Sequence, residues 1–207
     1  MKSLTSLLLP LLAASLVPGG GAVGIQSVRY SGDGCPQDSV SVNSSLDMEF
    51  ITLGFDKFTP YIGPGTSSRD RYRNCAVQLI LEPAEASRFV ISASTYHGYA
   101  RLDAGVSKTF SSTYYFAALD GPVTTTRTTI EGGGDLAHGQ VFTRTERVQP
   151  EDYVLSPCSR PGEPIHLDVL DRVVLQSTNS SSSVMIPDDG DDVPLTQQIH
   201  LIWSPCS

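Results

Sequence analysis

Ile165-His166-Leu167-Asp168-Val169-Leu170-Asp171-Arg172-Val173-Val174-Leu175-Gln176 carries the clearest periodic signal in the chain. Ile165, Leu167, Val169, Val173 and Leu175 share one parity, and His166, Asp168, Arg172 and Gln176 share the other. Side chains alternate across a strand, so period two means one buried face and one wet face. A helix would repeat its apolar residues at three and four instead.

The same alternation recurs along the chain. Val77, Leu79 and Leu81 alternate with Gln78 and Glu82, and Ile199, Leu201 and Trp203 alternate with Gln198 and His200. Phe89, Ile91 and Ala93 are expected to face one way, with Ser92 and Ser94 facing the other. Between Leu46 and Phe55 the phase shifts: Leu46, Met48 and Phe50 are even, whereas Ile51, Leu53 and Phe55 are odd. A β-bulge or a break near Phe50-Ile51 accounts for that shift. Gly32-Asp33-Gly34, Gly63-Pro64-Gly65, Asp120-Gly121-Pro122, Gly132-Gly133-Gly134 and Asp188-Asp189-Gly190 supply frequent turns. Only Glu82 to Ser87 offers a single helical turn, with Pro83 at its start. Short strands with many turns predict an all-β, antiparallel β-sandwich, jelly-roll or Greek-key-like, with little or no helix. Thr124 to Ile130 and Gln140 to Val148 are rich in Thr and Arg. With Gly132-Gly133-Gly134 between them they read as a projecting hairpin that buries neither face, its charge protecting an exposed edge.

The N-terminus reads as a secretory signal. Met1-Lys2 is positive, Leu4 to Val17 is apolar but too short to span a bilayer, and small residues follow. The expected division is residues 1–24 as signal peptide and 25–207 as one domain. The formal net charge is −8 and the basic residues are scattered. No nucleic-acid or membrane partner is expected, and the domain is expected to be a secreted monomer.

Cys35, Cys75, Cys158 and Cys206 all follow the leader. An even count in an exported chain implies disulfides, and four cysteines allow three connectivities. Cys35–Cys75 with Cys158–Cys206 is the favoured pairing, each bond tying one end of the domain to its neighbour in sequence. Chain-entropy reasoning gives each such loop about 4 kcal/mol. Asn43-Ser44-Ser45 and Asn179-Ser180-Ser181 are glycosylation sequons, expected on exposed loops or strand edges.

Several blocks together resemble a family of small secreted fungal proteins with bacterial members, known as domain of unknown function 4360. They are Gly32-Asp33-Gly34-Cys35-Pro36-Gln37, Phe55 to Gly65, Arg73 to Leu79, Tyr96 to Val106, Ser111 to Phe116, and Trp203 with Cys206. The resemblance spans nearly the whole mature chain. It implies a β-sandwich, export and paired cysteines, and it implies no established reaction.

Candidate chemistry is sparse. No GxSxG elbow marks a nucleophile. His97, His138, His166 and His200 have no partner legible in sequence, and His166 and His200 lie on wet parities. Asp47 and Glu49 share parity, so on a strand they would project from one face about 7 Å apart. Asp56 and Asp103 sit beside glycines or aromatics, where Asp bonds nearby backbone in turns. Asp188, Asp189, Asp191 and Asp192 are a weak calcium candidate, lacking the closing Glu of an EF-hand. No cofactor is expected. Tyr61, Tyr96, Tyr99, Tyr114 and Tyr115 fall in the motif blocks. Tyrosine on a sheet face can stack on a sugar and hydrogen-bond it. Tyr114 and Tyr115 point to opposite faces, so one belongs to the core.

The ligand-binding candidates are therefore Tyr61, Tyr96, Tyr99, Tyr114, Asp56 and Asp103. The functional expectation is a secreted, non-catalytic protein that binds carbohydrate or cell wall. A surface protein or effector without a small ligand, and a hydrolase of unrecorded type, are the alternatives. A hydrolase would show convergent carboxylates in a cleft, or His97 bonded to a Ser.

Overall fold

The computed structural model describes residues 24–83, 85–117, 123–160, 162–178 and 193–206. The leader, Asn179 and the aspartates of 188–192 lie outside them. The described chain forms ten strands: β1 (Gly24–Ser31), β2 (Val40–Ser44), β3 (Phe50–Phe55), β4 (Tyr72–Glu82), β5 (Ser87–Ala100), β6 (Val106–Phe116), β7 (Thr124–Glu131), β8 (Gln140–Arg147), β9 (Ile165–Ser177) and β10 (Leu195–Pro205). The helical content among the described residues is two 3-10 turns, Gly134–His138 and Pro150–Asp152. No helix there is long and apolar enough to cross a membrane.

Two five-stranded antiparallel sheets carry the fold. Their orders are β1-β4-β9-β6-β7 and β2-β3-β10-β5-β8. The stretch from Ile165 to Gln176 lies in β9, central in the first sheet between β4 and β6. Ile165, Leu167, Val169, Val173 and Leu175 are buried, as their parity requires. They join Val77, Leu79 and Leu81 from β4 with Ile51, Leu53, Ile199 and Leu201 from the second sheet in one core. Interdigitating two inner faces in this way is how a sandwich removes apolar surface from water.

The disulfides are Cys35–Cys75 and Cys158–Cys206, the favoured pairing. The first lies at the end where β4 begins. The second ties the segment after β8 to the end of β10. Phe58 stacks on Phe55 at 4.9 Å beside the first bond. A Cβ on Gly34 would collide with the Phe58 ring, so glycine is needed there for close approach.

Four expectations are corrected. The Thr/Arg segment is not a hairpin. β7 pairs with β6 in the first sheet, β8 pairs with β5 in the second, and residues 132–139 cross between the sheets. Nor are its faces both wet, since Thr124, Thr126 and Ile130 are buried on β7 and Phe142 on β8. Threonine can turn its methyl into a core and satisfy its hydroxyl there, so a polar residue at an inward position hides the strand's period. Second, Ser94 faces inward. The β10–β5 register shifts between His200 and Leu201, which leaves Ser92 as an extra residue on β5. Such a bulge reverses the parity beyond it. Third, the phase shift before Ile51 is a turn. Ser45 Oγ donates to Asp47 Oδ1 at 2.5 Å, the Glu49 amide donates to the same oxygen, and Met48 sits at φ 56°. Asp47 and Glu49 thus lie on the β2–β3 turn and do not project from one strand. Fourth, β4 runs to Glu82 and β5 starts at Ser87, with no helical turn among the described residues between them.

Candidate functional site

The tyrosines and aspartates picked out in sequence fall into two groups. Tyr96 and Tyr114 are in the core, 3% and 1% exposed, so neither ring is available to a surface ligand. The bulge at Ser92 turns Tyr96 inward. Tyr114 follows the buried parity of Val106, Phe110 and Phe116. The other four lie at one end of the sandwich. That end holds the β1–β2, β3–β4, β5–β6 and β7–β8 connections. Tyr61 and Asp56 lie on the β3–β4 loop, with Tyr61 39% exposed. Asp103 is on the β5–β6 loop. Tyr99, half-buried near the end of β5, lays its hydroxyl against Gly139, where a Cβ would collide with it.

Inside, the polar residues form one network across both layers. Ser112 donates to Asp171 Oδ1. The Ser112 and Tyr96 hydroxyls meet at 2.5 Å. Gln197 Nε2 reaches Ser112 at 2.8 Å, Tyr114 at 3.1 Å and Ser94 at 3.2 Å. Asp171 is 2% exposed, and burial pushes its carboxyl up to about 7. Burial also raises the Tyr96 phenol to about 12 and lifts that of Tyr114 further. Among the described residues Asp171 Oδ2 and Gln197 Oε1 have no partner. Burial disfavours the carboxylate, so Asp171 keeps its proton well above the ordinary carboxylate range. The network is a structural spine; closed off from solvent, it offers a ligand no entry.

Lys108 also points inward, from β6. Its Nζ lies 5.0 Å from the Phe110 ring centroid and 5.8 Å from that of Phe142, and burial lowers it to about 8.

The outer face of the first sheet has a different character. Arg29 pairs with Gln78 across β1 and β4, Gln78 with Asp168 across β4 and β9, and Asp168 with Tyr115 across β9 and β6. Strand pairing therefore lines up Arg29, Gln78, Asp168 and Tyr115 in one row perpendicular to the strands. Gln78 Nε2 donates to Asp168 Oδ1 at 3.0 Å, which fixes both groups. Tyr115 is 40% exposed. With Tyr30 and Leu170 these residues line a shallow groove of about 480 Å³. An aromatic face beside a fixed amide–carboxylate pair and a guanidinium offers an apolar surface with convergent hydrogen-bonding groups. Sequence reading missed the row because it joins four strands far apart in the chain. The signal for Tyr115 was present: Tyr114 shares the apolar parity of its strand, which leaves Tyr115 outward.

Other concavities differ in kind. Between the edge strands β7 and β8, Glu146, Glu151 and Asp152 line a cleft of about 610 Å³ with Arg147 and Tyr153. At the end of β10, Trp203 and Ile202 share a groove with Asp47, Glu49 and Glu85. His97 Nδ1 meets Thr143 Oγ1 at 2.9 Å, on the outer face of the second sheet. Among the described residues no group of His, Cys, Asp and Glu is arranged to hold a metal ion.

A family model described as domain of unknown function (DUF4360) matches residues 21–206. The chain belongs to this family. An uncharacterized secreted protein of Arthroderma benhamiae is 31% identical over 185 residues, covering 89% of this chain and 72% of that protein. With its paired cysteines and a secreted relative, this DUF4360 chain is extracellular. Among solved structures, TmCBM61 in complex with β-1,4-galactotriose aligns over 87% of this chain and 90% of its own, at 9% identity and a TM-score of 0.28. A CBM4 structure aligns over 86% of each chain at 12% identity and a TM-score of 0.22. Scores this low leave the fold and ligand of the DUF4360 chain to be read from its own residues.

Proposed function

We propose that this secreted protein binds neutral polysaccharide, such as cell-wall glycan, without cleaving it, through the outer face of its first sheet. The observation that carries the reading is the Arg29–Gln78–Asp168–Tyr115 row in its groove. A pyranose presents an apolar C–H face and a rim of hydroxyls, and the row presents matching groups. Asn43 supports the choice of face. It is exposed on edge strand β2 of the second sheet, opposite in parity to the inward Val40 and Val42. A glycan there would shield the second sheet and leave the first one clear.

A second reading places the ligand at the loop end, because Tyr61, Asp56, Tyr99 and Asp103 gather there. Depletion assays on insoluble chitin, glucan, mannan and cellulose separate the two. We expect retention of the glycosylated protein on at least one polymer, loss of retention in Tyr115→Ala, and none in Tyr61→Ala. The opposite pattern moves the site to the loops. No retention on any polymer refutes both, and release of reducing ends from a polymer overturns the non-catalytic part.

A further inference from the structure

The row has a direction, a length and a charge balance, and these specify the ligand beyond its class. We infer that the site takes an unbranched, uncharged glycan chain lying across the strands, with one sugar ring over each of β1, β4, β9 and β6. The inference rests on the polysaccharide reading above.

Direction follows from register. The four residues are cross-strand partners, so the line joining them runs perpendicular to the strands. Length follows from strand spacing. Neighbouring strands lie about 4.8 Å apart, which is close to the advance of one pyranose ring in an extended chain. Three intervals then separate the ring over Tyr115 from the ring over Arg29. β1 is the edge of the sheet, so a longer chain overhangs beyond Arg29 and gains no contact there.

The ends do different work. Tyr115 stacks on the C–H face of the first ring. Asp168 and Gln78, already bonded to each other, keep an oxygen each to accept from hydroxyls of the middle rings. Arg29 donates to the last ring. Of the two flanking rows, Ser31–Ala76–Leu170–Thr113 has short or apolar side chains, and Ser27–Ile80–His166 on the other side carries one exposed histidine. Arg172, further along, is held over the Tyr72 ring at 5.4 Å. The site thus balances one carboxylate against one guanidinium. A polyuronate would meet Asp168 in mid-chain, and a polyamine would end on Arg29. Uncharged hydroxyls fit all four positions.

Calorimetric titration of the full mature protein with cello-, chito- and laminari-oligosaccharides of two to six rings tests this, with oligogalacturonates as the acidic probe. In one neutral series, affinity should climb from two rings to four and stay level at five and six. Arg29→Ala should weaken the four-ring ligand about tenfold while leaving the two-ring ligand within about twofold, as expected when one charged hydrogen bond is lost at the far end. Tyr115→Ala should weaken both. A plateau at two rings, equal loss for short and long ligands in Arg29→Ala, or tighter binding of oligogalacturonate would overturn the inference and leave polysaccharide binding intact. Binding of no oligosaccharide by the unmodified protein would remove the polysaccharide reading itself.

Discussion

Replacing Asp171 with asparagine probes the buried network in a way that a surface change does not. Among the described residues Asp171 has one unpartnered oxygen and no countercharge beside it, and Gln197 Oε1 is a second unpartnered acceptor. The groups packed around it are Ser112 and Tyr114 from β6, Ser94 and Tyr96 from β5, and Gln197 from β10. None supplies positive charge. Its folded-state carboxyl titrates near 7 against an ordinary 3.8. Between those values the native state holds a proton that the unfolded chain has released, so stability falls as pH rises. Three pH units at about 1.4 kcal/mol each give a loss of about 4 kcal/mol between pH 4 and pH 7, complete above the folded pKa. Asparagine keeps the acceptor for Ser112, is close to isosteric, carries no charge into the core and does not titrate. Urea unfolding of both proteins from pH 4 to 8, with disulfides intact, measures the difference. Asp171→Asn should be close to the parent at pH 4 and more stable by about 2–4 kcal/mol at pH 8. A difference that does not vary with pH, or a variant less stable at pH 8, would refute the protonated-aspartate reading.

Lys108→Met should raise the melting temperature at pH 7, because burial lowers the lysine to about 8 and aromatic faces only partly offset that cost. The gain should shrink as pH rises from 8 towards the ordinary lysine value; a lower melting temperature at pH 7 would contradict it. Cys158→Ser with Cys206→Ser opens a loop of sequence separation 48 and should cost about 2–5 kcal/mol in denaturant unfolding. An unchanged midpoint would show that this bond constrains nothing. Asn43→Gln should lose an endoglycosidase-sensitive mass shift in material exported from a fungal host, and persistence of the full shift would place the glycan elsewhere.

Much of the fold could be read directly because apolar parity is a local signal. Ile165 to Gln176 and Val77 to Glu82 declare their faces within a few residues, and the sandwich follows. The Thr/Arg segment is hard to place for one reason: polar groups occupy core positions. Thr124 and Thr126 made an edge strand look wet on both sides, and Ser94, Gln197, Asp171 and Lys108 sit inward against composition. A bulge at Ser92 leaves no compositional mark, so the inward turn of Tyr96 required the register itself. The candidate site was the least legible part. Its four residues come from strands that pair only after folding, with Gln78 and Asp168 separated by 90 positions. Tyr61, Asp56, Tyr99 and Asp103 belong to the motif blocks. They share one end because every second connection of this antiparallel sandwich returns to that end.

Amide chemical-shift mapping with a neutral four-ring oligosaccharide tests the binding face most directly. Perturbations concentrated on Arg29, Gln78, Asp168 and Tyr115, with the outer face of the second sheet silent, are what the row requires. Perturbations centred on Tyr61 and Tyr99, or no perturbation at saturating ligand, would contradict it.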